Sequence, residues 1–144
     1  MEDQQRLNEI INEINAYNQQ SELIRQQIEL IQSSIAEVDT LSNTLEDLNG
    51  KDSVEAYVPV GAGSFIKGEL KDTDEIIISI GAGYAIKKDV EGAKSIIAGQ
   101  KKDLEDSLDK MLANLQQVTD IIGNLQGQAQ QIQAASQGGV TGYN

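Results

Sequence analysis

The chain has 144 residues, of which 39% are hydrophobic and 3% aromatic, too few large side chains for the core of an ordinary globule of this length. Its formal net charge of −12, with 11 basic residues scattered among 23 acidic ones, argues against a nucleic acid or an anionic membrane surface as partner. With no His and no Cys, imidazole and thiolate catalysis, disulfides and zinc sites built on nitrogen or sulfur are excluded.

Residues 3–48 form a heptad array. Leu7, Ile14, Ser21, Ile28, Ile35 and Ser42 hold one position of the repeat, and Ile10, Tyr17, Ile24, Ile31, Val38 and Leu45 hold another, three residues on. This 3,4 alternation is the a/d seam of a coiled coil. Asn49-Gly50 is a helix stop.

Residues 50–88 change period and contain an internal repeat: Val60-Gly61-Ala62-Gly63-Ser64-Phe65-Ile66-Lys67, then Ile80-Gly81-Ala82-Gly83-Tyr84-Ala85-Ile86-Lys87. Gly61, Gly63, Gly81 and Gly83 read as hairpin turns that need positive φ. Four short strands are predicted: Ala56 to Val60, Ser64 to Leu70, Ile76 to Ile80 and Tyr84 to Lys88, with Lys71-Asp72-Thr73-Asp74 between the hairpins. An isolated hairpin is marginal in water, so an obligate oligomer is expected. Its interface would use Val58, Val60, Phe65, Ile66, Ile76, Ile78, Ile80 and Ile86.

Residues 89–137 return to heptads. Val90, Ile97, Leu104, Met111, Val118, Leu125 and Ile132 form the d series, and Lys94, Lys101, Leu108, Leu115, Ile122, Ala129 and Ser136 the a series. Asp89 is the expected N-cap. Antiparallel pairing with the first helix sets Leu7 against Ile132, Ile14 against Leu125, Ile24 against Leu115, Ile28 against Met111 and Ile35 against Leu104, with a one-heptad slip left open. Lys94 and Lys101 fall opposite Leu45 and Val38, from where they could reach Asp47 or Glu37. Residues 138–144 are expected to be a disordered tail. The fold class is thus α+β, mainly α: a long antiparallel two-helix coiled coil joined by two β-hairpins that form an oligomeric platform.

The order of helix, two Gly-containing hairpins and helix, with Val-Pro-Val-Gly-Ala-Gly-Ser-Phe-Ile-Lys at 58–67 and Ser-Ile-Gly-Ala-Gly-Tyr-Ala-Ile-Lys-Lys at 79–88, resembles the α-class subunits of archaeal-type prefoldin. The resemblance implies a non-enzymatic, ATP-independent chaperone that needs no cofactor. It further implies a hexamer of two α and four β subunits on a double β-barrel platform. Unfolded client proteins would be held between the arm tips and passed to a group II chaperonin. On that reading the client-binding residues lie near both chain ends: Leu7, Ile10, Ile11, Ile14, Ile122, Leu125 and Ile132. A coiled-coil scaffold that binds one folded partner is the alternative.

Other features are read more plainly. The Gly-Ala-Gly motifs lack the third Gly of a dinucleotide fingerprint, and Glu69-Leu70 stand where a Walker loop needs Lys and Ser/Thr, so phosphate binding is not expected. Asp103, Glu105, Asp106 and Asp109 are read as a solvated face. No apolar stretch approaches the ~20 residues of a membrane-spanning helix. The polar start Met1-Glu2-Asp3-Gln4-Gln5-Arg6 does not fit a signal peptide, and a cytoplasmic location is expected.

Overall fold

The computed structural model describes residues 2–141, with side chains as far as residue 136. The element order is α1 (Glu2–Leu48), β1 (Ser53–Gly61), β2 (Ser64–Lys71), β3 (Glu75–Gly81), β4 (Tyr84–Asp89) and α2 (Val90–Thr141). The strands form two separate antiparallel hairpins, β1–β2 and β3–β4. By packing, the chain divides into two compact units, Met1–Ser33 with Asp106–Asn144, and Ser34–Glu105.

The helix boundaries have identifiable causes. Gly50 ends α1 at φ 78°, and the Lys51 amide donates to the Leu48 carbonyl at 3.2 Å. At the start of α2 the Asp89 carboxylate accepts from the Gly92 amide at 2.8 Å, the N-cap to N3 bond that satisfies an otherwise orphaned donor. A Cβ at Gly92 would stand 2.6 Å from the capping oxygen, so a larger residue there would make the Asp89 side chain shift. No proline interrupts α2, and its helical backbone runs on to Thr141, past the expected end at residue 137. Of the tail 138–144, residues 142–144 lie outside the described residues.

In the first unit the heptad seam is the shielded stripe. Ile24, Ile28 and Val118 bury together, with Tyr17, Leu108, Met111, Leu115 and Ile122 packed on them. Leu7 and Ile132 line one groove, as the unslipped register requires. Ser21 is a buried polar residue on this seam, and its hydroxyl is satisfied locally by donating to the Asn18 carbonyl at 3.0 Å.

In the second unit the core is Leu45, Ile78, Val90, Ala93 and Ile97, joined by Val38, Leu41, Ile76, Ile86 and Ile96. One face of the β3–β4 hairpin therefore packs on the base of the helix pair. Gln100 reinforces it by donating to the Ser79 carbonyl at 3.3 Å. The Thr73 hydroxyl donates to the Lys51 carbonyl at 2.6 Å and fastens the link between the hairpins to the end of α1.

The two lysines in the seam find different partners from those expected. Lys94 lies 3.6 Å from Glu46, and Lys101 lies 2.7 Å from Asp39 and 3.9 Å from Glu105. An a-position side chain leaves the seam on the side of the e positions, where Asp39 and Glu46 stand; Glu37 and Asp47 occupy c and f positions. The hydrogen bond and charge of Asp39 raise the Lys101 pKa above its ordinary 10.5.

Strand β1 starts at Ser53, three residues earlier than expected, because Ser53, Val54 and Glu55 pair with Lys71, Leu70 and Glu69. Both turns are two residues long with positive φ throughout: Ala62 at 50° and Gly63 at 73°, and Ala82 at 54° and Gly83 at 80°, as type I′ turns require. Gly61 and Gly81 also have positive φ and sit at the register shift next to each turn.

Candidate functional site

Two surfaces follow from this architecture: the end of the first unit where both helix termini meet, and the exposed hairpins of the second. At the helix ends the seven expected contact residues divide by heptad position. Ile10 and Leu125 are buried, while Leu7, Ile14, Ile122 and Ile132 are half-buried, all in the seam. Ile11 is the one of the seven that stands out into solvent, 43% exposed.

Open grooves run along both sides of this tip. On one side Leu7 and Ile132 form the floor between Asp3, Gln4, Gln133 and Ser136. On the other, Ile10 and Leu125 form the floor between Arg6, Glu9, Glu13 and Gln128. Both grooves are bordered mainly by polar and charged side chains; Leu7 and Ile132 are half-buried in the first, and Ile10 and Leu125 are buried beneath the second. Nothing about these grooves selects one ligand shape. Among the described residues no cluster of carboxylates is placed to hold a metal ion.

The hairpins supply the second surface, and the residues expected at the interface divide there by their burial within the chain. Ile78, 5% exposed, belongs to the core, and Ile76 and Ile86 pack against that core, so these three hold the chain's own helices. Val58, its equivalent in the repeat, is 47% exposed, and Val60, Phe65, Ile66 and Ile80 are exposed with it. Tyr57, Leu70, Ile77 and Tyr84 were missed by the sequence reading and are also exposed. The signal for Ile77 was present in the uninterrupted Ile76-Ile77-Ile78 run, since a strand that alternates faces cannot point three consecutive residues inward. Each hairpin also carries an outward cross-strand ion pair, Glu55–Lys67 at 2.9 Å and Glu75–Lys87 at 3.1 Å.

Two hairpins with exposed apolar residues, joined to an antiparallel helix pair, can be compared with known proteins. The family model described as "Prefoldin subunit" matches residues 17–135. The chain is 69% identical over 146 residues to a protein named "Prefoldin subunit alpha" from Methanobrevibacter smithii, covering 100% of both. The chain belongs to the alpha class of the prefoldin family. A prefoldin subunit alpha from Pyrococcus horikoshii is 31% identical over 116 residues, covering 79% of this chain and 78% of its own. In fold, the chain resembles a subunit of a filamentous prefoldin from Methanocaldococcus jannaschii, with TM-score 0.54 and 23% identity, covering 89% of this chain and 98% of that one. Prefoldin subunits are non-enzymatic chaperone components that act in oligomers, and this chain is one of them. Among the described residues no helix is long and apolar enough to cross a membrane.

Proposed function

We propose that this prefoldin subunit captures non-native proteins at the tip of its helix pair and holds them without using ATP. The observation that carries the reading is the form of the tip, where half-buried Leu7 and Ile132 line an open groove between polar side chains and Ile11 stands exposed. Such grooves suit many short apolar segments rather than one folded surface. Half-buried seam residues such as Leu7 and Ile132 then serve twice, closing the helix pair and lending their exposed edges to the client.

The exposed hairpin residues support assembly with β-class subunits in a hexamer of two α and four β chains on a shared β-barrel platform. Held clients would pass to a group II chaperonin, and the site of action is the cytoplasm. A photocrosslinking residue in place of Ile11 tests the capture. In the assembled complex it should form adducts with chemically unfolded clients of unrelated sequence. Adducts with a single folded protein, and none with unfolded clients, would instead favour a scaffold.

A further inference from the structure

Asn49-Gly50 is the one Asn-Gly pair in the chain. It lies just past the end of α1, and both residues are exposed. The Asn49 amide makes the last bond of the helix ladder, to the Leu45 carbonyl at 3.0 Å, and the Lys51 amide donates to the Leu48 carbonyl at 3.2 Å. Between them, among the described residues, the Gly50 amide has no backbone acceptor. Open space surrounds the place where a Cβ of Gly50 would stand, so its nitrogen can be approached closely. Asparagines inside the helices are placed differently. Asn43 and Asn114, for example, precede Thr44 and Leu115, whose amides belong to the helix ladder and carry side chains beside them. A further bond brackets the pair. The Thr73 hydroxyl donates to the Lys51 carbonyl at 2.6 Å and lies 3.2 Å from the Leu48 carbonyl, one on either side of Asn49-Gly50.

We infer that Asn49 is a site of spontaneous deamidation and that Thr73 sets its rate by holding the backbone on both sides. The Gly50 nitrogen loses its proton to water and bonds to the carbonyl carbon of the Asn49 side chain. The bond from that carbon to the side-chain nitrogen breaks, and ammonia leaves. Water then opens the cyclic imide at either of its two carbonyls, giving aspartate or isoaspartate. Closing the ring requires the chain to turn about Asn49, which moves the Leu48 and Lys51 carbonyls relative to each other. A hydroxyl that bridges those carbonyls resists the turn. Both products place a new negative charge past the C-terminal end of α1, where the helix dipole opposes it and Asp47 and Asp52 stand close in sequence. Isoaspartate also lengthens the main chain by one carbon inside the span that Thr73 bridges. Deamidation thus loosens the link between α1 and the first hairpin.

The test is peptide mapping of the chain in its assembled complex after prolonged incubation at mildly alkaline pH, with isoaspartate read by an isoaspartyl methyltransferase. Fragmentation should place the mass gain of an NH2-to-OH exchange at Asn49, with Asn43 and Asn114 unchanged. Thr73→Val should convert severalfold faster, and Thr73→Ser, which keeps the hydroxyl, at the original rate. Asn49 staying intact, or converting no faster in Thr73→Val, would overturn the inference. If Thr73→Val loses helicity by circular dichroism, the unaltered complex decides through its rate at Asn49 with and without urea. A severalfold slower rate in the folded complex supports the bracket, and equal rates overturn it.

Discussion

At the scale of single residues, backbone conformation decides more than side-chain contact does. Ala62 and Ala82 occupy the left-handed region, at φ 50° and 54°, where a Cβ meets its own carbonyl at a cost of roughly 1–2 kcal/mol. Ala62→Gly should therefore stabilise the assembled protein by about 1 kcal/mol, seen as a higher Tm, and a lower Tm would show that the strain is relieved elsewhere. Gly92 shows the opposite constraint. Its missing Cβ leaves room for the Asp89 cap, so in Gly92→Ala the disturbed cap should offset most of the roughly 1 kcal/mol that Ala ordinarily gains over Gly in a helix, whereas Asp89→Ala should cost about 1 kcal/mol. If the two substitutions act through the same bond, a double-mutant cycle on thermal unfolding will show them strongly non-additive.

At the scale of elements, the two helices were legible because a seven-residue repeat leaves little freedom in what faces what. Every a and d residue named on α1 is buried or half-buried, Ser21 and Ser42 included. The same holds on α2, apart from exposed Ser136 near its end. Ion-pair partners were less legible, since Glu37, Asp39, Glu46 and Asp47 all lie within a lysine's reach in sequence and only the side on which an a position leaves the seam chooses among them. Lys101 also carries a pH signature. Its pKa is raised in the folded state, so its contribution to stability is full below the ordinary lysine value of 10.5 and is lost as pH rises through the raised value. Lys101→Met should flatten the stability profile in that alkaline range, as measured by denaturant unfolding. Further along α2, Gly123 and Gly127 have open space where a Cβ would stand. Gly123→Ala should stabilise the helix pair by about 1 kcal/mol, measurable by denaturant unfolding, and no gain would mean that the glycine is not held helical in solution.

The hairpins were legible as hairpins, down to the turn glycines, but not in what they cover. Their two sequences repeat the same alternation, and nothing local to β3 or β4 says that Ile76, Ile78 and Ile86 turn onto Val90, Ala93 and Ile97 while Val58 and Ile66 stay exposed. That distinction is tertiary. It depends on β4 running directly into α2 at Asp89 and Val90, which leaves the second hairpin lying on the helix base. The first hairpin is separated from both helices by its links, Asn49 to Asp52 on one side and Asp72 to Asp74 on the other.

For the whole molecule, the acidic, His-free and Cys-free composition fits a protein whose work is done by surfaces rather than by chemistry. On the proposed reading, platform and tip make separate demands, the first on assembly and the second on client contact, and each should be alterable alone. Substitutions on the hairpins should change complex mass, whereas changes at residues 2–14 and 122–136 should leave mass intact and weaken holding.

The most direct test is light scattering of a chemically unfolded client diluted into the assembled complex, with intact arms and with residues 1–14 and 122–144 removed. The account predicts that the intact complex suppresses aggregation in the absence of ATP. The truncated complex, still of the same subunit number, should lose most of that suppression. Equal suppression by both complexes would contradict capture at the tips, and no suppression by either would contradict the holding function itself.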